Sequence, residues 1–264
     1  MNNKLSAIIL AKNEEKQIET CLKSLEFCDE IIVVDSGSTD KTLSLAKKYT
    51  NQIYQVPFTN FSDLRNLGKE KAKNGWILYV DADEEVTTPL KEEINDTIRQ
   101  STDTSEVAGG TPRRWSDQKS AYYVVRSNFY LSKEWPTKDK VERLFKRENL
   151  SGWYGEVHES PKIEGEKGEL KNEIIHRTHN SLEEMLNNTI AWSDFEAKAR
   201  FAVNHPPVTW WRIFRMMATS FWDYYIKQKG WKLGTVGLIE SIYQSFSIFV
   251  TYAKLWEMQN NISI

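Results

Sequence analysis

Two aspartates separated by one small residue, Asp81-Ala82-Asp83, follow the apolar run Trp76–Val80, which reads as a buried strand. A backbone leaving a sheet there can aim both carboxylates at one point. Oxygen ligands of this kind suit Mg²⁺ or Mn²⁺ with positions left open for substrate phosphates. A third aspartate, Asp35, closes the run Glu30–Val34 and opens the stretch Asp35-Ser-Gly-Ser-Thr-Asp40, while Ala11-Lys-Asn-Glu-Glu15 closes the run Leu5–Leu10.

Those residues meet only if the strands that carry them end at one edge. The first hundred residues alternate between β-rich runs at Leu5–Leu10, Glu30–Val34, Ile53–Phe58 and Trp76–Val80, and helical patterns at Glu15–Leu25, Ser38–Tyr49 and Ser62–Asn74. This alternation predicts an α/β fold, a mostly parallel sheet covered by helices on both faces, with the ligand beyond the carboxyl ends of the strands. Ser38 is the expected N-cap of the second helix. A polar connection over 100–110 leads to strands at Tyr122–Arg126 and Arg143–Lys146, then to loops rich in Trp, Pro and Gly through Pro161. Ser181–Asn204 reads as a long helix that opens with the capping-box pattern Ser-Leu-Glu-Glu and ends at Pro206-Pro207.

With 264 residues, 40% hydrophobic and 27% charged, the chain can bury a real core, which excludes a disordered protein. A net charge of -2 gives no whole-protein basic field to draw in nucleic acid. Two cysteines, Cys21 and Cys28, are too few for a disulfide framework and too far apart for a CxxC zinc knuckle, so a reducing compartment is expected. In the opening MNNKLSAIILAKNEE, Lys12, Glu14 and Glu15 interrupt the apolar run, which is not a signal-peptide layout, and a cytoplasmic location is expected.

The segments AIILAKNEEKQIETCLKSL, EIIVVDSGSTDKT and FSDLRNLGKEKAKNGWILYVDADEEV resemble, in order and spacing, the donor-binding half of family 2 glycosyltransferases with the GT-A fold. Arg143-Leu-Phe, Gly155-Glu-Val-His-Glu159 and Ile175-His-Arg-Thr-His179 extend the resemblance toward the subgroup that adds sugars to the lipopolysaccharide core. The resemblance implies a GT-A (Rossmann-like) sheet, a UDP-sugar donor, a divalent metal (Mn or Mg) and inverting transfer to a lipid-linked saccharide, with glucose as the expected sugar and a heptose as the expected acceptor. Carried over residue by residue, Ala11, Asn13 and Glu14 would line the nucleoside pocket, and Asp35 would take a hydrogen bond from the uracil. Asp81 would sit by the ribose and metal, and Asp83 would be the principal metal ligand. Arg65 would face the diphosphate; its alternative is a solvated helix charge.

Single-displacement inversion needs one base and no covalent nucleophile. Glu159, matching the His-Glu of the family, is the expected base, with Glu156 the nearest competitor. His176 follows Ile174-Ile175 at an apparent strand end, where it either reaches the metal or diphosphate or merely caps the strand. His179 is the exposed alternative, and His205, before two prolines, is expected to be structural.

The expected organisation is a nucleotide-sugar half (1–110), an acceptor-binding and catalytic half of the same domain (111–204) and a helical tail (205–264). Five of the ten tryptophans lie in that tail: Trp210, Trp211, Trp222, Trp231 and Trp256. Six basic residues there stand against three acidic ones. In Thr209–Lys229, Trp210, Trp211, Phe214, Ala218, Phe221, Trp222 and Tyr225 share a helical face. In Leu238–Met258, Glu240, Gln244, Ser247, Thr251 and Lys254 form a narrow polar stripe on an otherwise apolar helix. The pattern fits helices lying in the interface of an anionic membrane, so the enzyme is expected on the inner face of the cell membrane. A helical hairpin packed on the catalytic domain or joining a homo-oligomer is the alternative. Two other functional readings stay open: a soluble glycosyltransferase acting on protein or a small molecule, and a nucleotide-sugar-binding protein without catalysis.

Overall fold

The computed structural model describes residues 3–101, 119–155 and 159–262. Four strands, β1 (Leu5–Ala11), β2 (Glu30–Asp35), β3 (Ile53–Gln55) and β4 (Trp76–Asp81), pair in parallel in the order β3-β2-β1-β4. Every residue of β1 is buried, as continuous apolar runs require when helices cover both faces. β3 stops at Gln55, short of Phe58, because Pro57 has no N–H to continue the ladder.

Between these strands lie α1 (Ile18–Ser24), α2 (Thr42–Ala46) and α3 (Phe61–Lys71). The N-cap expected at Ser38 is not there. The Ser38 N–H and hydroxyl both donate to Asp35, and α2 starts four residues later, where Asp40 Oδ1 accepts from the N–H and hydroxyl of Thr42. α3 is capped by Asn60, whose Oδ1 accepts from Asp63 N at 2.8 Å.

After β4 come β5 (Glu84–Val86) and α4 (Thr88–Gln100), the latter with Thr87 as N-cap. Residues 102–118, which include most of the expected polar connection, lie outside the described residues. The chain continues with β6 (Ala121–Tyr130), β7 (Lys133–Glu134), β8 (Asp139–Lys146), β9 (Leu150–Tyr154), β10 (Ser160–Ile163) and β11 (Lys167–His179). Antiparallel strands extend the sheet past β4 in the order β8-β6-β11-β5. β9 and β10 form a separate antiparallel hairpin where loops were expected. Leu150 and Trp153 anchor it in the core, sharing a cluster with Ile77, Tyr79 and Phe145 on the α3 side of the sheet. Leu78, Val80 and Leu144 point to the other face, with Ile94 of α4.

By packing, the chain divides into one unit of 1–127 with 139–176 and a second of 128–138 with 177–264. The second unit holds α5 (Leu182–Ala202), α6 (Trp210–Trp222) and α7 (Thr235–Gln259), so α5 groups with the tail helices rather than with the acceptor half. Ser181 caps α5, its Oγ accepting from Glu184 N at 3.2 Å. Val208, Tyr252, Leu255 and Ala197 form this unit's small core.

One expectation about this unit, an exposed His179, is corrected. The polar side of α7 faces inward: Glu240, Ser241, Ser245 and Thr251 are buried, while Ile242, Phe246 and Phe249 are exposed. His179 is not exposed. Its Nδ1 lies 3.0 Å from Oε2 of the fully buried Glu240, and Tyr243 packs edge-on to its ring. A buried carboxylate needs such a partner, which is why the polar residues of α7 turn inward. His205 Nδ1 lies 2.8 Å from the Pro206 carbonyl, and its ring packs against Tyr252.

Candidate active site

The parallel strands bring their carboxyl ends together. Ala11 and Asp35 are register partners, as are Leu10 and Asp81, so the three loops expected to carry the chemistry leave from one edge. Asp35 is fully buried, and its carboxylate accepts from Gly37 N, Ser38 N and the Ser38 hydroxyl. Asn13 adopts a left-handed backbone (φ 57°), which lets its N–H reach Ser38 Oγ at 2.9 Å and its Oδ1 accept from Thr39 N at 2.8 Å. Glu14 N donates to Thr42 Oγ1 at 2.7 Å. The loops after β1 and β2 are thus tied into one shelf, with Asp35 as the anchor of its turn.

The turn from β4 to β5 sets the metal-binding candidates. β5 pairs antiparallel with β11 in the register His176↔Glu84, so the residue before Glu84 falls beside the His176 ring. His176 Nε2 lies 3.0 Å from Asp83 Oδ2. His176 is therefore neither at a strand end nor a cap; it sits within β11, three residues before the strand finishes. Burial opposes protonation of its ring, and the neighbouring Asp83 charge outweighs that, so its pKa is raised above the ordinary histidine value.

Asp81 faces a different set of partners. Its Oδ1 is 3.1 Å from Arg65 Nη2 and its Oδ2 2.5 Å from Arg143 Nη2. Burial alone would raise its pKa; Arg143 and then Arg65 reverse this and hold the carboxyl well below the usual carboxylate range. Glu84, whose side chain is fully buried, braces both: its Oε1 is 2.6 Å from Arg143 Nη2, and its Oε2 accepts from the Asp81 N–H at 3.0 Å. Arg65 then reaches Glu159 Oε1 with Nη2 at 3.1 Å and Nε at 3.2 Å. The result is a chain of alternating charge, Glu159–Arg65–Asp81–Arg143–Glu84.

Arg65 is buried, not a solvated helix charge. Its guanidinium lies over Trp153 at 4.8 Å and Tyr79 at 5.6 Å, and its Nη1 has no hydrogen-bond partner among the described residues. Asn66, the next residue on α3, locks the hairpin that supplies Trp153, exchanging hydrogen bonds with Trp153 N at 2.8 Å and Trp153 O at 2.9 Å. Arg65, Asp81, Arg126, Arg143, Trp153 and Glu159 line a cavity of about 340 Å³. A larger hollow of about 960 Å³ lies by Asn74 and Trp76, at the opposite ends of the parallel strands, and holds none of Asp81, Asp83, Glu159 or His176. Glu156 and His158 fall outside the described residues.

Arg143 and Glu84 were not assigned a role from sequence. The signal was nevertheless present: Arg143 shares strand parity with Phe145, so alternation puts a charged residue on a buried face.

The sequence matches the model of Glycosyl transferase family 2 over residues 6–154, more than half of the chain. The chain belongs to glycosyl transferase family 2. It is 26% identical to the lipopolysaccharide core biosynthesis glycosyltransferase LpsC of Rhizobium meliloti (strain 1021), an alignment that covers 96% of this chain and 92% of that protein. It is 24% identical to an uncharacterized glycosyltransferase of Rickettsia bellii (strain RML369-C), over 98% of this chain and 88% of the relative. Among solved structures it is similar to the mannosyltransferase PcManGT from Pyrobaculum calidifontis, in complex with GDP-Man and Mn²⁺, with 13% identity, 98% and 87% coverage and a TM-score of 0.49. The family 2 match spans the shelf, the Asp81–Asp83 turn, Arg65 and Arg143, and stops before Glu159 and His176. The mixed sheet, parallel over β3-β2-β1-β4 and antiparallel beyond it, with its flanking helices is the GT-A architecture, and the chain is a glycosyltransferase.

Proposed function

We propose that this glycosyltransferase is an inverting, metal-dependent enzyme that moves a hexose, glucose by resemblance, from a UDP-sugar to a lipid-linked saccharide such as the lipopolysaccharide inner core, at the cytoplasmic face of the cell membrane. The observation that carries this reading is the convergence of two groups on one sheet edge: Asp83 with His176, and Asp81 with Arg65 and Glu159. The name of the Rhizobium meliloti relative supports the acceptor class.

The donor atoms fit a divalent ion. Asp83 and His176 come from different strands and meet at one point, while no group of three His, Cys, Asp or Glu that could hold a metal forms among the described residues. Two protein ligands, with the remaining positions left to phosphate oxygens and water, suit Mn²⁺ or Mg²⁺. When bound, such an ion neutralises charge on the leaving diphosphate. Asp81, with both oxygens on arginines, contributes as the anchor of Arg65 and Arg143, and ligates a metal only by releasing one of them.

Arg65 supplies the second cation for the diphosphate, since it has a buried N–H to spare beside Asp81. Ala11, Asn13, Glu14 and Asp35 form the shelf for the nucleoside. In the transfer step the acceptor hydroxyl oxygen bonds to the anomeric carbon on the face opposite the diphosphate, and its proton passes to Glu159. The bond from the anomeric carbon to the diphosphate breaks, and its electron pair leaves with the diphosphate. Glu159 Oε1 is held by Arg65, and no described residue bonds its Oε2, which suits it to receive that proton. Replacing Asp83 with Ala tests the reading. Loss of metal-dependent donor turnover in a folded variant supports it, and full activity removes the metal assignment.

A further inference from the structure

Two helices of the second unit turn their apolar sides to solvent. On α6, Trp210, Phe214 and Trp222 recur at multiples of four residues and are 72%, 62% and 57% exposed. On α7, Ile242, Phe246 and Phe249 form an exposed stripe at three- and four-residue spacing. The helices pack on each other, with Ser245 Oγ donating to the Met217 carbonyl at 2.9 Å. The inward polar side of α7 is fully engaged: Glu240 by His179 and Gln244, Ser241 by the Gly237 carbonyl, and Tyr243 by the Met185 carbonyl. The helix is therefore fixed with its apolar side out.

Charge identifies what covers this surface. Of the three acidic residues after position 200, Glu240 is fully buried and Asp223 lies 3.4 Å from Lys227, which leaves Glu257 against exposed Arg215, Lys229 and Lys232. Exposed tryptophan and phenylalanine on α6 and α7, with Arg215 next to Phe214 in α6 and Lys229 and Lys232 in the connection between the two helices, match the headgroup–acyl boundary of an anionic bilayer. A second copy is a poorer match, because a two-fold interface on the same face would set these cations near their own equivalents. No described helix is long and apolar enough to cross a membrane, so the helices would lie along it.

We propose that the outer face of α6 and α7, centred on Phe214 and Phe246, docks in the plane of an anionic lipid bilayer. This rests on the membrane-face reading above and adds the surface and the lipid charge. The test uses the full chain with sedimenting vesicles of phosphatidylcholine alone or with phosphatidylglycerol. Expected is binding to the anionic vesicles that weakens at least about tenfold in 0.5 M salt and on phosphatidylcholine. Phe214→Ser with Phe246→Ser, both at exposed positions, should abolish binding and leave the protein monomeric and folded by circular dichroism. Absence of binding to either vesicle, or unchanged binding by the double variant, overturns the proposal. So does a concentration-dependent dimer, seen by gel filtration, that the double variant dissociates. Donor hydrolysis is followed in the same samples. Vesicle binding without hydrolysis of any donor counts against the transfer reading alone, and hydrolysis without vesicle binding counts against the docking surface alone.

Discussion

Arg65 and Asp81 stand 3.1 Å apart, Nη2 to Oδ1, and the same nitrogen lies 3.1 Å from Glu159 Oε1. One guanidinium therefore joins the first aspartate of the Asp-Ala-Asp turn to the proposed base. It is placed there by α3 below and by the Trp153 ring it stacks on.

Arg65→Met removes that link while keeping apolar contact with Trp153. UDP affinity measured by calorimetry should fall about 10- to 100-fold, the range for losing a charge-assisted hydrogen bond. Unchanged affinity would place Arg65 outside the diphosphate site.

Glu159→Gln keeps the shape of the side chain and removes its ability to take a proton. Turnover should fall about 10²- to 10⁴-fold with UDP binding retained. Loss of donor binding with turnover per bound donor intact would move Glu159 to a purely structural role.

Asp81 links stability to pH. Its folded pKa lies below the unfolded value of about 4, so its contribution is present above that pH and is lost as the pH falls below it. Asp81→Asn leaves Arg65 and Arg143 without their shared anion. It should cost about 3 kcal/mol near neutral pH, and the gap to the parent protein should narrow below about pH 4. Urea melts at pH 7 and pH 3 check both parts; a gap that widens in acid would refute the ion-pair origin.

Glu240→Gln replaces the buried carboxylate that bonds His179 with a neutral amide and should destabilise the helical unit by about 1 to 3 kcal/mol. Hydrogen exchange would show the loss in α5 to α7 first. Uniform protection in the variant would mean the pair contributes little.

The apolar runs of β1, β2 and β4 were legible because burial on both faces leaves only one way to read them, and the acidic residues at their ends marked the ligand edge. The hairpin of β9 and β10 was hidden: its strands are short, and its stability comes from Trp153 packing on Tyr79, a contact between residues far apart in sequence. Parity with Phe145 could place Arg143 on a buried face, but its role and that of Glu84 were hidden, since a buried charge is explained only by the partner that the fold delivers. α7 was legible in its periodicity alone. Which side faces water depended on His179, sixty-one residues away.

The most direct test of the proposed chemistry incubates the purified protein with Mn²⁺ and a panel of UDP-, GDP- and TDP-sugars without acceptor, and follows release of the free nucleoside diphosphate. Release from one UDP-sugar, lost in Asp83→Ala, is the expected result and names the sugar. Release that persists undiminished in Asp83→Ala, or that comes only from a GDP- or TDP-sugar, would contradict the metal-dependent UDP-sugar site.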